Sequence, residues 1–303
     1  MWCRHPATKI PVRRGTATLP RKTPARRGAA TLPQKHRQGL VQPPCQKAPS
    51  RFPVFSHCFS SRIIKYKQCM LPFETLTLLQ MDIFVATSRG RPLKKYFDAR
   101  PNTLFEFRPG ATTETLTEVA AKLLDDMYTY SDRRHHVYFL SGLCDLTHKT
   151  QDNGYEEVTF DHNVDEADAL IERIHESAEE IIKSYDAVPV FCTIAPMDIA
   201  IWNNYRLQNH RTTYLLHHEH YEEMQENMNS SIVFINHGII NRNSYNNMDT
   251  PRICQEILRK QGLRRPTYRL RHGNLSEDGC HPTEDVNCQW RINLDTTATE
   301  NRR

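Results

Sequence analysis

From residue 82 onward, short apolar runs alternate with longer stretches of helical periodicity, and this alternation narrows the possible folds more than any other feature. Asp82–Thr87 is a strand-type run that ends in Ser88-Arg89-Gly90. Thr103–Arg108 alternates and stops at Pro109-Gly110, and His136–Leu140 is broken by Ser141-Gly142. Val188–Ile194 is a fourth run, with Pro189 expected among its first residues. Between them, Leu116, Val119, Ala120, Leu123, Leu124, Met127 and Tyr128 fall at helical spacing after a cap at Thr112 or Thr113. Ala167, Leu170, Ile171, Ile174, Ala178, Ile181 and Ile182 do the same, with an acidic outer face. A long helix is expected through Tyr221–Ile239, a short one over 251–260, a possible last strand at Thr267–Leu270 and a final helix over 283–294. Parallel neighbours need helix-length crossovers. The pattern therefore predicts an α/β fold, with a parallel sheet of four or five strands and helices on both faces.

Residues 1–80 are different material. They hold fifteen Lys and Arg but one acid, Glu74, whereas the remainder holds 25 bases and 34 acids. Residues 13–20 and 26–33 are near copies, RRGTATLP and RRGAATLP. Two such units are too few for a solenoid, which needs at least ~3. The Pro- and Arg-rich composition predicts disorder over 1–78, a domain over 79–298 and a tail over 299–303. The basic segment suits weak nucleic-acid contact or a mitochondrial transit peptide. The reading preferred here is an appendage without a role, even one upstream of a start at Met81. No run approaches the ~18 apolar residues of a membrane helix, and no apolar core of a secretory signal is present. Nine cysteines without a CxxC pair exclude a zinc ribbon and point to reduced thiols. The expected location is cytoplasmic, or mitochondrial should the segment be a transit peptide.

In open α/β sheets ligands bind beyond the carboxyl ends of the strands, so the residues there carry the chemistry. They are Ser88, Gly110 and Gly142-Leu143-Cys144-Asp145, with Asp278-Gly279-Cys280-His281 ahead of the last helix. An Asp three residues before a His can turn back and accept its Nδ1–H, and a strand-end Ser presents both Oγ and its amide. Nucleophile, base and orienting carboxylate are the parts of a serine hydrolase. Gly110 brings a backbone N–H toward a developing oxyanion without a side chain.

These blocks resemble those of the SGNH (GDSL-type) hydrolases, a flavodoxin-like group of esterases and lipases, over residues 81–296. Ala86-Thr87-Ser88 stands where that family has Gly-Asp-Ser, Gly110 where it has its second-block glycine, and Gly142-Leu143-Cys144-Asp145 where it has Gly-x-Asn-Asp. The final Asp-x-x-His is intact as Asp278 and His281. The chain is similar, too, to SGNH-like domains of mobile-element-associated and expanded families in invertebrate genomes. The resemblance implies a three-layer α/β/α sandwich and a Ser88–His281–Asp278 triad. It further implies an oxyanion hole at Ser88, Gly110 and position 144, a small ester or acyl substrate, and no metal or organic cofactor. Cys144 replaces the asparagine donor, and a thiol is a weak one. Two functions follow: an ester hydrolase weakened at its oxyanion hole, or a non-catalytic SGNH-like binding module that contacts nucleic acid through basic segments.

Three other features are weighed as lesser candidates. His217, His218, Glu219 and His220 lack the HExxH spacing and read as a solvated polar face. Cys280 reads as a small packed residue. Arg259, Lys260, Arg264, Arg265, Arg269 and Arg271, with Tyr268 among them, read as a surface charge run.

Overall fold

The computed structural model describes residues 80–303, apart from 129–133, 153–154, 210, 212, 214, 216 and 263–266. The expectations for residues 1–78, the repeats included, lie outside the described residues. Four strands, β1 (Asp82–Ala86), β2 (Thr103–Phe107), β3 (His136–Leu140) and β6 (Val188–Phe191), form one parallel sheet in the order β2-β1-β3-β6. The register is continuous, with Asp82 beside both Thr103 and His136, and His136 beside Val188.

Strand periodicity sorts the side chains into two apolar clusters, one on each face. Ile83, Val85, Val137, Phe139 and Phe191 meet α2 (Thr113–Tyr128), α4 (Val164–Lys183) and α6 (Tyr221–Tyr245) through residues such as Leu116, Ile171 and Ile235. Phe84, Ala86, Tyr138, Leu140 and Val190 meet α1 (Arg91–Phe97) and α7 (Glu284–Asn301) through Leu93, Phe97, Trp290 and Leu294. Strands buried on both faces read as near-continuous apolar runs, as β1 and β3 do. The result is the three-layer α/β/α sandwich that the alternation implies.

The sheet stops at four strands for a physical reason. On edge strand β6, the Val188 and Cys192 amides donate inward to His135 O (2.8 Å) and Phe139 O (3.0 Å). Pro189, of the opposite phase, lacks the N–H that would point outward. The outward Phe191 pair is taken by Asn243, whose Oδ1 accepts Phe191 N–H at 3.2 Å while Nδ2 donates to Phe191 O at 2.7 Å. Asn236 holds the Ile194 backbone the same way, at 2.6 and 2.9 Å. Side-chain amides of α6 thus take the place of another strand at Phe191 and Ile194.

Three expectations need correction, and two elements were not expected. Thr267–Leu270 is a strand, β8, but it pairs antiparallel with β7 (Leu258–Gln261) rather than joining the main sheet. Residues 251–260 form a 3-10 turn at Ile253–Glu256 followed by β7, not a helix. The hairpin of β4 (His148–Asp152) and β5 (Tyr155–Thr159), and helix α5 (Ile199–Gln208), have no counterpart in the sequence reading. The last helix continues to Asn301 through most of the segment set off as a tail. There Arg302 Nε reaches the buried carboxylate of Asp82 at 3.4 Å, and Asn301 Nδ2 lies 3.3 Å from Tyr138 Oη.

Candidate active site

Strand β1 ends at Ala86, and the Thr87 amide still donates to Leu140 O at 3.3 Å. The chain then turns through a 3-10 helix, Ser88–Gly90, into α1, whose first turn carries Pro92. The opening N–H groups of a helix have no partner within it, and Pro fits its first turn for that reason. Ser88 thus sits at the carboxyl edge of the sheet on a rigid strand-to-helix turn. Arg89 points inward, 7% exposed, and donates to Ala195 O and, at 2.9 Å, to Pro196 O. That guanidinium ties the turn after β1 to the segment after β6.

The Asp278–His281 turn is closed by its own backbone. Asp278 Oδ1 accepts the Cys280 and His281 amides, each at 2.9 Å, with Ser276 Oγ at 2.8 Å. Gly279 holds φ +69°, and a Cβ there would lie 2.7 Å from Ile201 Cβ, so only glycine fits between this turn and α5. Gly279 O accepts the amide of Asp198, which caps α5. The remaining oxygen, Asp278 Oδ2, lies 2.5 Å from His281 Nδ1, and His281 Nε2 lies 3.1 Å from Ser88 Oγ. Burial would raise the Asp278 carboxyl. The bonds from the His281 ring and amide, the Cys280 amide and Ser276 outweigh it and hold the group well below the usual aspartate value. The carboxylate therefore stays ionised beside an imidazole whose side chain is one-third exposed.

The other strand ends supply the walls. Gly110 (φ +69°) lies in the turn closed by Ala111 N–H to Arg108 O at 3.3 Å. A Cβ there would meet nothing within 4 Å, so dihedral rather than space requires the glycine. Gly142 (φ +101°) opens a one-turn helix, α3 (Leu143–Leu146), containing Cys144 and Asp145. Asp145 turns to Thr113. Its carboxylate accepts the Thr113 amide at 3.0 and 3.1 Å and the Thr113 hydroxyl at 2.7 Å, capping α2. Burial nonetheless raises its pKa against those bonds. Burial, then Cys280, pushes the Cys144 thiol up to about 11, so it is a neutral S–H.

The structure brings together Ser88, His281 and Asp278, and sets Gly110 and Cys144 in the turns at the neighbouring strand ends. It places the lesser candidates elsewhere. His217 Nδ1 lies 3.0 Å from Glu157, a fully buried carboxylate of β5 that also accepts from Tyr221. His218–His220 form an exposed 3-10 turn. Cys280 is buried, 3.8 Å from an Arg89 nitrogen, and its thiol is pushed up by burial. Arg259, Lys260, Arg269 and Arg271 lie on or beside the β7–β8 hairpin; Arg264 and Arg265 fall outside the described residues.

Sequence reasoning missed Arg89, Asp198 and Trp202, whose ring lies 6.4 Å from that of His281. An arginine carries no mark of burial in sequence. The DIAIWNN stretch has the form of a cap before a helix, and that signal could have found α5.

No family model and no curated protein sequence matches the chain. Solved structures with a similar course include a proposed acylhydrolase of Bacteroides fragilis, at 12% identity over 83% of this chain and 100% of that one, TM-score 0.49. A GDSL-like lipase of Bacteroides thetaiotaomicron is similar at 13% identity over 80% and 97%, TM-score 0.46. A member of the lipolytic G-D-S-L family from Veillonella parvula follows at 10% over 73% and 99%, TM-score 0.41. Independently of these, the parallel order β2-β1-β3-β6 reproduces the first four strands of the flavodoxin-like order, whose switch point lies between β1 and β3. Ser88 follows β1, Gly110 follows β2, Gly142 follows β3 and Asp278–His281 precedes the last helix, so the candidate residues stand at the carboxyl edge of a flavodoxin-like parallel sheet.

Proposed function

We propose that this domain is a serine ester hydrolase acting on a small ester or acyl substrate. The observation that carries the reading is the hydrogen-bonded line from Asp278 Oδ2 through the His281 ring to Ser88 Oγ, at 2.5 and 3.1 Å. Ser88 Oγ attacks the acyl carbon while His281 Nε2 takes its proton. Asp278, kept ionised by its donors, holds Nδ1–H and stabilises the imidazolium. The Ser88 and Gly110 amides receive the oxyanion. His281 returns the proton to the leaving alcohol, and water then releases the acid by the same route.

Position 144 favours a second reading. A neutral thiol offers little to an oxyanion, and loss of one such donor typically costs ~10²–10³ in kcat. A binding module that has kept the fold would tolerate it, with nucleic acid meeting Arg259, Lys260, Arg269 and Arg271 or the basic N-terminal segment. Among the described residues no helix is long and apolar enough to cross a membrane.

Labelling with a fluorophosphonate probe separates the two. Modification of Ser88, absent in Ser88→Ala and accompanied by p-nitrophenyl butyrate hydrolysis, is the expected result. A folded protein that is neither labelled nor active is a binding module.

A further inference from the structure

A concavity opens between α6 and the β7–β8 hairpin. Its volume is about 210 Å³, and Ser88, Asp278 and His281 do not line it. Val233 and Ile240, one side of α6, face Leu258 of β7 across an apolar floor. The rim carries Arg252, Lys260 and the imidazole of His237, all exposed, and among the described residues no acid lines the cleft. Neither Arg252 nor Lys260 forms an ion pair among the described residues. An apolar floor under unneutralised cations suits one kind of ligand.

We propose that this cleft binds a small anionic amphiphile, namely a carboxylate on a short aliphatic chain. The chain would lie on Val233, Ile240 and Leu258, and the carboxylate would meet Lys260 and Arg252 by charge-assisted hydrogen bonds. Size supports the class, because 210 Å³ falls below the ~300–1,000 Å³ typical of sites for drug-sized ligands. A nucleic acid would find the charges but no use for the apolar floor. The inference does not depend on the triad, since none of its three residues lines the cleft.

The test uses the full chain as Ser88→Ala, methyl-labelled at Ile, Leu and Val, titrated with sodium octanoate, octanol and sodium acetate. Octanoate should shift the Val233, Ile240 and Leu258 methyl signals saturably. Octanol should bind ~5- to 10-fold more weakly for want of the charge, and acetate should leave the signals unmoved. Lys260→Glu with Arg252→Glu, both at exposed positions, should remove the preference for octanoate over octanol while methyl dispersion stays intact. Equal response to octanol and octanoate, or shifts that avoid these three residues, would overturn the proposal. So would displacement of octanoate by a short oligonucleotide. A concentration-dependent dimer abolished by the same charge reversals would assign the face to a second copy of the chain instead.

Discussion

Two aspartates stand at the carboxyl edge of the sheet, one turned to an imidazole and the other to the start of a helix. Asp278 accepts two backbone amides and lies near Ser276 through one oxygen, and turns the other to His281. Asp145 spends both oxygens on Thr113. Donors outweigh desolvation at the first, and its carboxyl is held low; desolvation wins at the second, and its carboxyl is raised. Residue type alone thus does not decide the role. What decides it is whether an oxygen is left over to face a base.

The largest expected effect breaks the chemical side of this contrast. Asp278→Asn keeps the shape of the turn but presents an amide to His281, and kcat for a p-nitrophenyl ester should fall ~10⁴-fold with little change in far-UV circular dichroism. An unchanged kcat would remove Asp278 from the reaction. On the other side, Asp145→Ala leaves the first turn of α2 without its acceptor and should cost about 1–3 kcal/mol in urea unfolding, with Ser88 still labelled in the folded protein. Loss of labelling without loss of stability would erase the distinction.

Cys144→Asn restores a strong donor one residue before Asp145. It should raise kcat by up to ~10-fold with KM unchanged, because the oxyanion exists only after attack. Ser88→Ala in the same background must abolish the gain. The smallest effect is the acid limb of the stability curve. Asp278, depressed below the ordinary 3.8, contributes stability that is present above that value and lost as pH falls toward its folded pKa. Asp145, raised, acts with the opposite sign, so its protonation favours the fold as pH falls from its raised pKa toward 3.8. Urea titrations across pH 3–6 should therefore show a flatter acid limb for Asp278→Asn. Asp145→Asn lacks that gain and should lose stability more steeply as pH falls toward 3.8.

Local pattern carried much of the layout. The runs at 82, 136 and 188 are strands because their residues are apolar on both faces, the run at 103 because it alternates, and the first three in chain order end where Ser88, Pro109-Gly110 and Gly142 interrupt them. The Asp278–His281 turn was legible for the same reason: its geometry is made by backbone amides within three residues. Arg89 and Asp198 were not, because both act on segments far away in the chain. The β4–β5 hairpin was hidden by its polar composition; its Val158 backbone is held by Asn203 of α5 at 2.8 and 2.9 Å.

The line of Asn229, Asn236 and Asn243 shows where the boundary falls. Their seven-residue spacing is plain in the sequence and puts them on one face of α6 beside Ile232, Ile235 and Ile239. By itself such a line of amides in a helix says only that polar partners must exist. The tertiary structure names them as Tyr268 O, the Ile194 backbone and the Phe191 backbone. Periodicity and turn chemistry act over a few residues, so the sequence alone determined the parallel core, its strand ends and the Asp–His turn. Where the sheet stops, and which carboxylate faces a base, depend on groups brought together from distant segments, so only the packed structure decided them.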